Sequence, residues 1–438
     1  EGKRDFLNFK NISIDSRTIL KNELFIAIKG KNFDGHSFLK EVLNKGVKSV
    51  VIKKGMQKSL PIDFPYWVVN DTLEAFQKLT LLKRKKLNIP TVAITGSVGK
   101  TTTKEMMGEV LKKLGRIKLS PANFNNEIGV GLTILETDRE DKALVLEMGM
   151  RGRGQIENLS KYTQPDIAVI TNIGSAHIGL LGSKENITYA KCEITKYLNP
   201  NGVVIIPAND FFLEDTLRKS WKGRIKKVEL LNLEKSNKNF KKDNKIQGFY
   251  IESKNVISIE GKMFDISLEG IHNASNFMLA YAVATEFNIH FDFLNKFDFL
   301  SLEGRNRILK SVKTTIYDES YNASPESVKA CIKSLLKKPK NRFIIFGSMK
   351  ELGDKNKEYH QEIFDLIENS DIEKCLFICN KMDEIDYLNY QKNKKKFMFF
   401  NNITNVAESL NRITKKGDSV LVKGSRYWQL EKIIKLIN

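Results

Sequence analysis

The run Val92-Ala-Ile-Thr-Gly-Ser-Val-Gly-Lys-Thr-Thr-Thr103 carries the residue types that hold a nucleoside triphosphate. An apolar stretch runs into Gly96, Ser97, Val98 and Gly99, then Lys100, Thr101 and Thr102, and a helical pattern follows. Glycines let backbone amides approach phosphate oxygens with no Cβ in the way. A helix that starts there adds unpaired N–H groups and the positive end of its dipole. Lys100 is placed to neutralise the β- and γ-phosphates, and the Thr101 hydroxyl suits Mg2+. The loop is shorter than the common G-x-x-x-x-G-K-[ST] pattern, because Ile94 stands where the first glycine would be. A plain glycine turn before a helix would not call for a lysine and threonines in this order, so ATP binding is expected. A second candidate is Glu147, which closes the apolar run Ala143-Leu-Val-Leu-Glu147. An acid there is poorly placed unless it faces a cleft, and the carboxyl edge of a parallel sheet is where a nucleotide would meet it.

These residues need elements to hold them. From Thr91 the chain repeats strand then helix, with strands expected at Val92–Thr95, Ala143–Glu147, Ile167–Thr171 and Val203–Pro207. Continuous β-rich apolar runs with helices between them argue a parallel sheet covered on both faces. Before it, Phe25–Ile28, Ser49–Ile52 and Tyr66–Val69 suggest a small α/β unit, and the basic segment Leu82–Leu87 ahead of Pro90 marks a boundary. Residues 223–268 read as an antiparallel excursion in which Lys235–Lys245 is a solvated loop, and Ala274–Phe287 reads as an amphipathic helix. A third α/β unit follows, with strands at Phe343–Phe346, Leu376–Cys379, Lys396–Phe400 and Ser419–Val422. The fold class is thus α/β in three units, 1–88, 89–309 and 310–438. The central one is a P-loop-type parallel sheet with helices on both faces, and the last is Rossmann-like.

Composition narrows the class. At 438 residues the chain exceeds one compact core. No apolar run is long enough to span a membrane, and the start Glu1-Gly-Lys-Arg-Asp5 leads into no signal-like segment. Cys192, Cys331, Cys375 and Cys379 form no CxxC pair, and the last two sit in an apolar run that reads as a buried strand, so a reducing, cytoplasmic setting is expected. The net charge of +20 comes from scattered lysine. Without an aromatic-interleaved basic stripe, it reads as solvated surface with some attraction for polyanionic substrates.

The loop and the blocks after it resemble the Mur ligase family. In the family's order come Asn123-Phe-Asn-Asn-Glu-Ile-Gly129, Leu146-Glu-Met-Gly149, Thr171-Asn-Ile-Gly-Ser-Ala-His177 and Ala190-Lys-Cys-Glu-Ile194. Gly270-Ile-His-Asn-Ala-Ser-Asn276, Gly304-Arg305, Asp318-Glu-Ser-Tyr-Asn-Ala-Ser-Pro325 and Lys423-Gly-Ser-Arg426 complete the series, which covers essentially the whole chain. The blocks at Tyr321–Pro325 and Gly347–Gly353 are similar to the branch whose incoming amine is D-alanyl-D-alanine. The D-N-P-R motif of the diamino-acid-adding branch is absent. The resemblance implies an ADP-forming C–N ligase of peptidoglycan precursor synthesis, joining that dipeptide to UDP-N-acetylmuramoyl-tripeptide through an acyl phosphate. The diamino-acid-adding and folylpolyglutamate-type enzymes are the alternatives within the superfamily. A nucleic-acid-dependent P-loop NTPase is the alternative outside it.

By the same resemblance, two Mg2+ ions are expected on Thr101, Glu147, His177 and Lys191, with Lys191 carbamylated by CO2. Lys100 stands with these three last residues in the catalytic set. Asn276 is expected at the adenine, Arg305 at a phosphate, and Glu319 near the ribose or γ-phosphate. Asn322, Lys423 and Ser425 would hold the dipeptide, Asn123 and Asn126 the acceptor peptide, and Asp15, Ser16, Arg17 and Lys29 the uridine end. A monomer is expected. With three units each holding one substrate, the unliganded chain is expected to be open, with Arg305 and Glu319 far from the Lys100 loop.

Overall fold

A computed structural model describes residues 9–30, 33–232, 245–299, 302–339, 341–380 and 395–437. Its described strands fall into three sheets of four, ten and six strands.

In the middle of the ten-stranded sheet, Thr91–Thr95 lies between Ala143–Glu147 and Ile167–Ile170, parallel to both. Ile117–Leu119 flanks the first and Val203–Pro207 the second, again parallel. Alternation along a strand sends successive side chains to opposite faces. Val92, Ile94 and Val145 pack with Met106 and Val110 of the helix Lys100–Leu111. Ala93, Leu144 and Leu146 pack on the other face with Val130 and Ile134 of Glu127–Leu135 and Ile156 of Gln155–Thr163. Both faces are covered, which is why the middle positions of Thr91–Thr95, Ala143–Glu147 and Val203–Pro207 are apolar on both sides.

Two expectations for this unit are corrected. The excursion after Val203–Pro207 is antiparallel only in part: Arg224–Asn232 pairs in parallel with Lys245–Ile251, and the antiparallel pairs begin at Val256–Ile259 and Lys262–Ile266. A parallel neighbour needs a long return connection, and residues 233–244, which include nearly all of the lysine/asparagine run, intervene outside the described residues. The helix Ile271–Glu286 is not amphipathic, since almost every residue from Asn273 to Ala284 is buried. It is clasped between the sheet and Lys100–Leu111. Its Phe277 is fully buried among the rings of Phe264, Phe297 and Phe299, at centroid distances of 5.4, 5.5 and 6.2 Å. Phe277→Ala is expected to cost about 3–5 kcal/mol of stability, read as a lower midpoint in chemical denaturation.

The four-stranded sheet is parallel, in the order Ile12–Ser13, Leu24–Ile26, Ser49–Lys53, Tyr66–Val69. The helix Thr72–Leu87 joins it to the central unit. Asp71 caps its start, accepting from Leu73 and Glu74 N–H at 2.7 and 3.0 Å, and Asn88 ends it in the left-handed conformation. The basic segment 82–87 forms the last turns of this helix, which ends just ahead of Pro90. Buried Arg84 donates to the carbonyls of Thr163 and Gln164 and to the carboxylate of Asp166, which fastens the helix to the central unit.

The six-stranded sheet runs Arg307–Lys310, Thr314–Glu319, Asp418–Lys423, Arg342–Gly347, Lys374–Ile378, Phe397–Phe400, parallel apart from the first pair. The strand Arg307–Lys310 already belongs to it. Buried Cys375 lies within Lys374–Ile378, with Cys379 just past its end, and burial raises the Cys375 thiol well above its ordinary value. Among the described residues no helix is long and apolar enough to cross a membrane.

Candidate active site

The carboxyl ends of the parallel strands in the two large sheets face one cleft of about 1070 Å³. Gly96 to Thr102, Glu147 and Lys191 line it from the central unit, and Arg305, Glu319, Asn322 and Lys423 line it from the opposite side. The loop leaves Thr91–Thr95 where the chain turns outward to neighbours on opposite sides, the position at which open α/β sheets bind ligands.

The loop's shape is held by the segment after Ile167–Ile170. Asn172 Oδ1 accepts from Val98 N–H at 3.0 Å, and its amide and the Thr171 hydroxyl both donate to Val98 O, at 2.8 and 2.6 Å. The Ser97 hydroxyl accepts from Gly174 N–H at 2.9 Å. The two glycines are required by contact as well as conformation. A Cβ on Gly96 would stand 1.9 Å from Thr171 Oγ1, and one on Gly99, at φ +83, would stand 2.6 Å from Asn276 Oδ1. Gly99 opens the helix Lys100–Leu111. Lys100 folds back so that Nζ donates to Gly96 O at 2.8 Å. Burial lowers its pKa, with the nearby charge of Arg305 adding to the effect and Glu147 opposing it.

Thr101, in the first turn of the helix Lys100–Leu111, meets Glu147 at the end of the neighbouring strand. The Thr101 hydroxyl donates to Glu147 Oε2 at 2.7 Å, and Asn125 Nδ2 donates to Oε1 at 2.9 Å. This adjacent hydroxyl and carboxylate, all oxygen, is the donor set a hard cation such as Mg2+ prefers. Lys191 sits in the last turn of Lys184–Cys192, 1% exposed, and its ammonium makes no hydrogen bond or ion pair among the described residues. Burial, and then the charge of Lys100, hold its pKa well below the ordinary lysine value.

Across the cleft, Glu319 and Lys423 end paired strands. Burial raises the Glu319 pKa despite the nearby charges of Lys423 and Arg305, and its Oε1 accepts from Asn306 N–H at 3.0 Å. Buried Lys423 donates to Asn322 O at 2.6 Å. The Arg305 guanidinium stacks 3.9 Å from the centre of the Tyr321 ring.

The expected open arrangement is not what the structure holds. Arg305 is close enough to influence Lys100, and both line one cleft with Glu319. Short contacts tie the two units. Ser175 N–H and hydroxyl donate to Glu326 Oε1, His177 Nδ1 lies 2.5 Å from Glu351 Oε2, and Gly179 N–H donates to Glu351 O at 2.9 Å. The helix Ile271–Glu286 starts after Gly270, ahead of the expected Ala274, so Asn273 and Asn276 both lie inside it. Asn276 still reaches the loop through Gly99, whereas Asn273 donates to Glu269 O and Asn306.

The remaining expected residues divide. His177 lines the cleft, with one ring nitrogen taken by Glu351. Asn123 lines it too, and so does Asn126, although Asn126 spends its Oδ1 capping Glu127–Leu135 through Gly129 N–H at 2.8 Å. Ser425 is buried and does not line the cleft. Asp15, Ser16, Arg17 and Lys29 lie on the four-stranded unit, away from the cleft. There Arg17 holds Asp15 at a pKa of about 2, Ser16 donates to Glu41, and Lys29 is 3.9 Å from Asp34. Asn125, Asn172, Tyr321, Glu326 and Arg426 also line the cleft. Each lies inside or beside one of the blocks above, yet nothing in the sequence gives it a role, because three asparagines in Asn123–Asn126 look alike until the fold aims one at Glu147.

Comparison with known proteins agrees along the length of the chain. Residues 8–93 match the model described as Mur ligase family, catalytic domain, residues 94–284 the Mur ligase middle domain, and residues 304–426 the Mur ligase, glutamate ligase domain. The UDP-N-acetylmuramoyl-tripeptide–D-alanyl-D-alanine ligase of Synechocystis is 33% identical over 96% of this chain and 90% of its own. The ligase of the same name from Bacillus subtilis is 32% identical over 97% and 92%. A crystal structure of the Thermotoga maritima MurF ligase in complex with ADP superposes with a TM-score of 0.83 at 27% identity, covering 99% of this chain and 98% of the other.

Proposed function

The chain belongs to the Mur ligase family, and from that premise we infer that it is the ATP-dependent, ADP-forming ligase that adds D-alanyl-D-alanine to UDP-N-acetylmuramoyl-tripeptide. The reaction makes a peptidoglycan precursor. The observation that carries the reading is the single cleft in which the nucleotide loop and the Thr101–Glu147 pair face Asn322, Lys423 and Arg305 of the third unit.

The residues divide the chemistry. Lys100 leaves the loop carbonyls for the β- and γ-phosphates, while the loop N–H groups, held by Thr171 and Asn172, cradle them. Asn276 lies against the loop on the adenine side, and Arg305, braced on Tyr321, meets a phosphate. Thr101 and Glu147 would hold one Mg2+, and His177 with a carbamate on Lys191 a second. When bound, these ions neutralise charge on the transferring phosphoryl group. A neutral amine is what CO2 requires, and the burial of Lys191 without an anionic partner among the described residues favours that form. The γ-phosphoryl group passes to the tripeptide carboxylate, held by Asn123 and Asn126. The dipeptide held by Asn322 and Lys423, with Ser425 buried behind them, then displaces phosphate. Glu319 faces the ribose or γ-phosphate, and Asp15, Ser16, Arg17 and Lys29 take the uridine end. The three units, the last of which begins ahead of the strand Arg307–Lys310 rather than at 310, thereby carry the UDP-sugar, the nucleotide and the amine. The enzyme acts in the cytoplasm as a monomer.

The test is phosphate release from ATP with UDP-N-acetylmuramoyl-tripeptide, with and without D-alanyl-D-alanine. Release that needs both, with a product heavier by the dipeptide, is expected. Release only with a dipeptide acceptor and a diamino acid would move the chain to another branch of the family.

A further inference from the structure

Glu326 stands in the first turn of the helix Pro325–Leu335, where a carboxylate ordinarily serves the helix dipole from solvent. Here it reaches across to the central unit. Its Oε1 accepts from the Ser175 N–H at 2.9 Å and from the Ser175 hydroxyl at 2.7 Å. The carboxylate lies over Gly174, where a Cβ would stand 3.3 Å from both of its oxygens. Gly174 in turn donates to Ser97 of the nucleotide loop. The carboxylate is thus held in fixed register with the phosphate site, yet it belongs to the unit that brings the amine.

Its second oxygen is unspent. Glu326 Oε2 is buried and has no hydrogen-bond partner among the described residues, although the residue lines the cleft. A buried carboxylate oxygen left without a donor is costly, and a charged donor is its best complement. Of the other carboxylates nearby, Glu147 is engaged at both oxygens by Thr101 and Asn125, Glu319 at Oε1 by Asn306 and Glu127 at Oε2 by Gln77 and Asn158, and none of the three leaves a fully buried oxygen without a partner. Lys100, Arg305, Lys423 and Arg426 make the cleft cationic. That suits phosphate and carboxylate groups, but it repels an amine, which arrives as an ammonium ion at neutral pH. Such a cleft needs one anionic receiver for the amine.

We propose that Glu326 receives the ammonium group of the incoming dipeptide and takes its first proton. The proposal rests on the ligase reading above. In this step the ammonium passes a proton to Oε2, and the freed lone pair attacks the carbonyl carbon of the acyl phosphate. As the C–N bond is completed, the C–O bond to phosphate breaks and its electron pair leaves on the phosphate. The nitrogen's second proton departs with the phosphate, and Glu326 returns its own to water.

The test uses the full chain and Glu326→Gln, which keeps the side chain's size and an oxygen for Ser175. Wild-type release of phosphate dependent on both substrates comes first, since its absence would overturn the ligase reading itself. In the variant, KM for D-alanyl-D-alanine is expected to rise about tenfold and kcat to fall about a hundredfold, the scale of a lost general base. Positional isotope exchange in ATP with the acceptor alone, which reports acyl-phosphate formation, should be unchanged. Hydroxylamine, uncharged near neutral pH, should trap the acyl phosphate at the wild-type rate. Unaltered dipeptide kinetics would overturn the proposal. So would an equal loss in isotope exchange and hydroxylamine trapping, which would leave Glu326 only a contact between the units.

Discussion

Lys191→Ala is expected to lose at least about a hundredfold in turnover, and to regain part of it when a short carboxylic acid is supplied. Removing an outer partner of a metal ligand already costs roughly ten- to a hundredfold, so removing a ligand itself should cost no less. The rescue separates two roles for this side chain. Were Lys191 to act as a cation on phosphate, added carboxylate would not replace it, and an added amine would. A carbamate is an anion on a linker, and a free carboxylate in the vacated space restores its oxygens. The surroundings fit the anionic role: an ammonium 1% exposed, with no counter-anion among the described residues and with Lys100 nearby, is poorly stabilised as a charge. Steady-state phosphate release across a series of carboxylic acids makes the measurement. Full activity in the untreated variant would remove Lys191 from the mechanism.

Gly179→Ala should also be severe, although the residue touches no substrate. A Cβ at Gly179 would stand 2.4 Å from Gly353 N and 2.9 Å from Glu351 O. Every close atom is backbone, so the third unit must move rather than a side chain turn. Glu351 and Gly353 hold positive φ, +64° and +57°, which leaves that loop little freedom to give way. A shift of about 1 Å at reacting groups costs on the order of a hundredfold in rate. The fall is expected in kcat, with ATP affinity retained, because the nucleotide loop is held by Thr171 and Asn172 within the central unit. Nucleotide binding by calorimetry beside steady-state turnover checks this. Equal turnover in the variant would mean that the closed contact is not needed for chemistry.

Much of this molecule can be read without coordinates. Strands covered on both faces are apolar on both sides through their middles, so Thr91–Thr95, Ala143–Glu147 and Val203–Pro207 announce themselves as runs. The nucleotide loop is equally legible, because close approach of backbone to phosphate demands glycine and the lysine must follow at once. Legibility fails where one pattern serves two structures. The run Ala274–Phe287 looks amphipathic until helix Lys100–Leu111 and the sheet are seen to cover both of its sides. Arg224–Asn232 and Lys245–Ile251 pair in parallel because of the path the chain takes between them, which local propensity does not record.

The sequence by itself determined the local chemistry: the phosphate loop, a strand-end carboxylate at Glu147, three α/β units and the family's ordered blocks. Tertiary structure alone decided which groups meet. It chose Asn125 among the neighbouring asparagines to orient Glu147, withdrew Lys191 from water, and set Glu326 of one unit on Ser175 of another 151 residues earlier in the chain. The physical reason is range. Propensity, glycine conformation and alternation act over a few residues, whereas burial and hydrogen-bond partnership depend on surfaces that exist only after distant segments have packed.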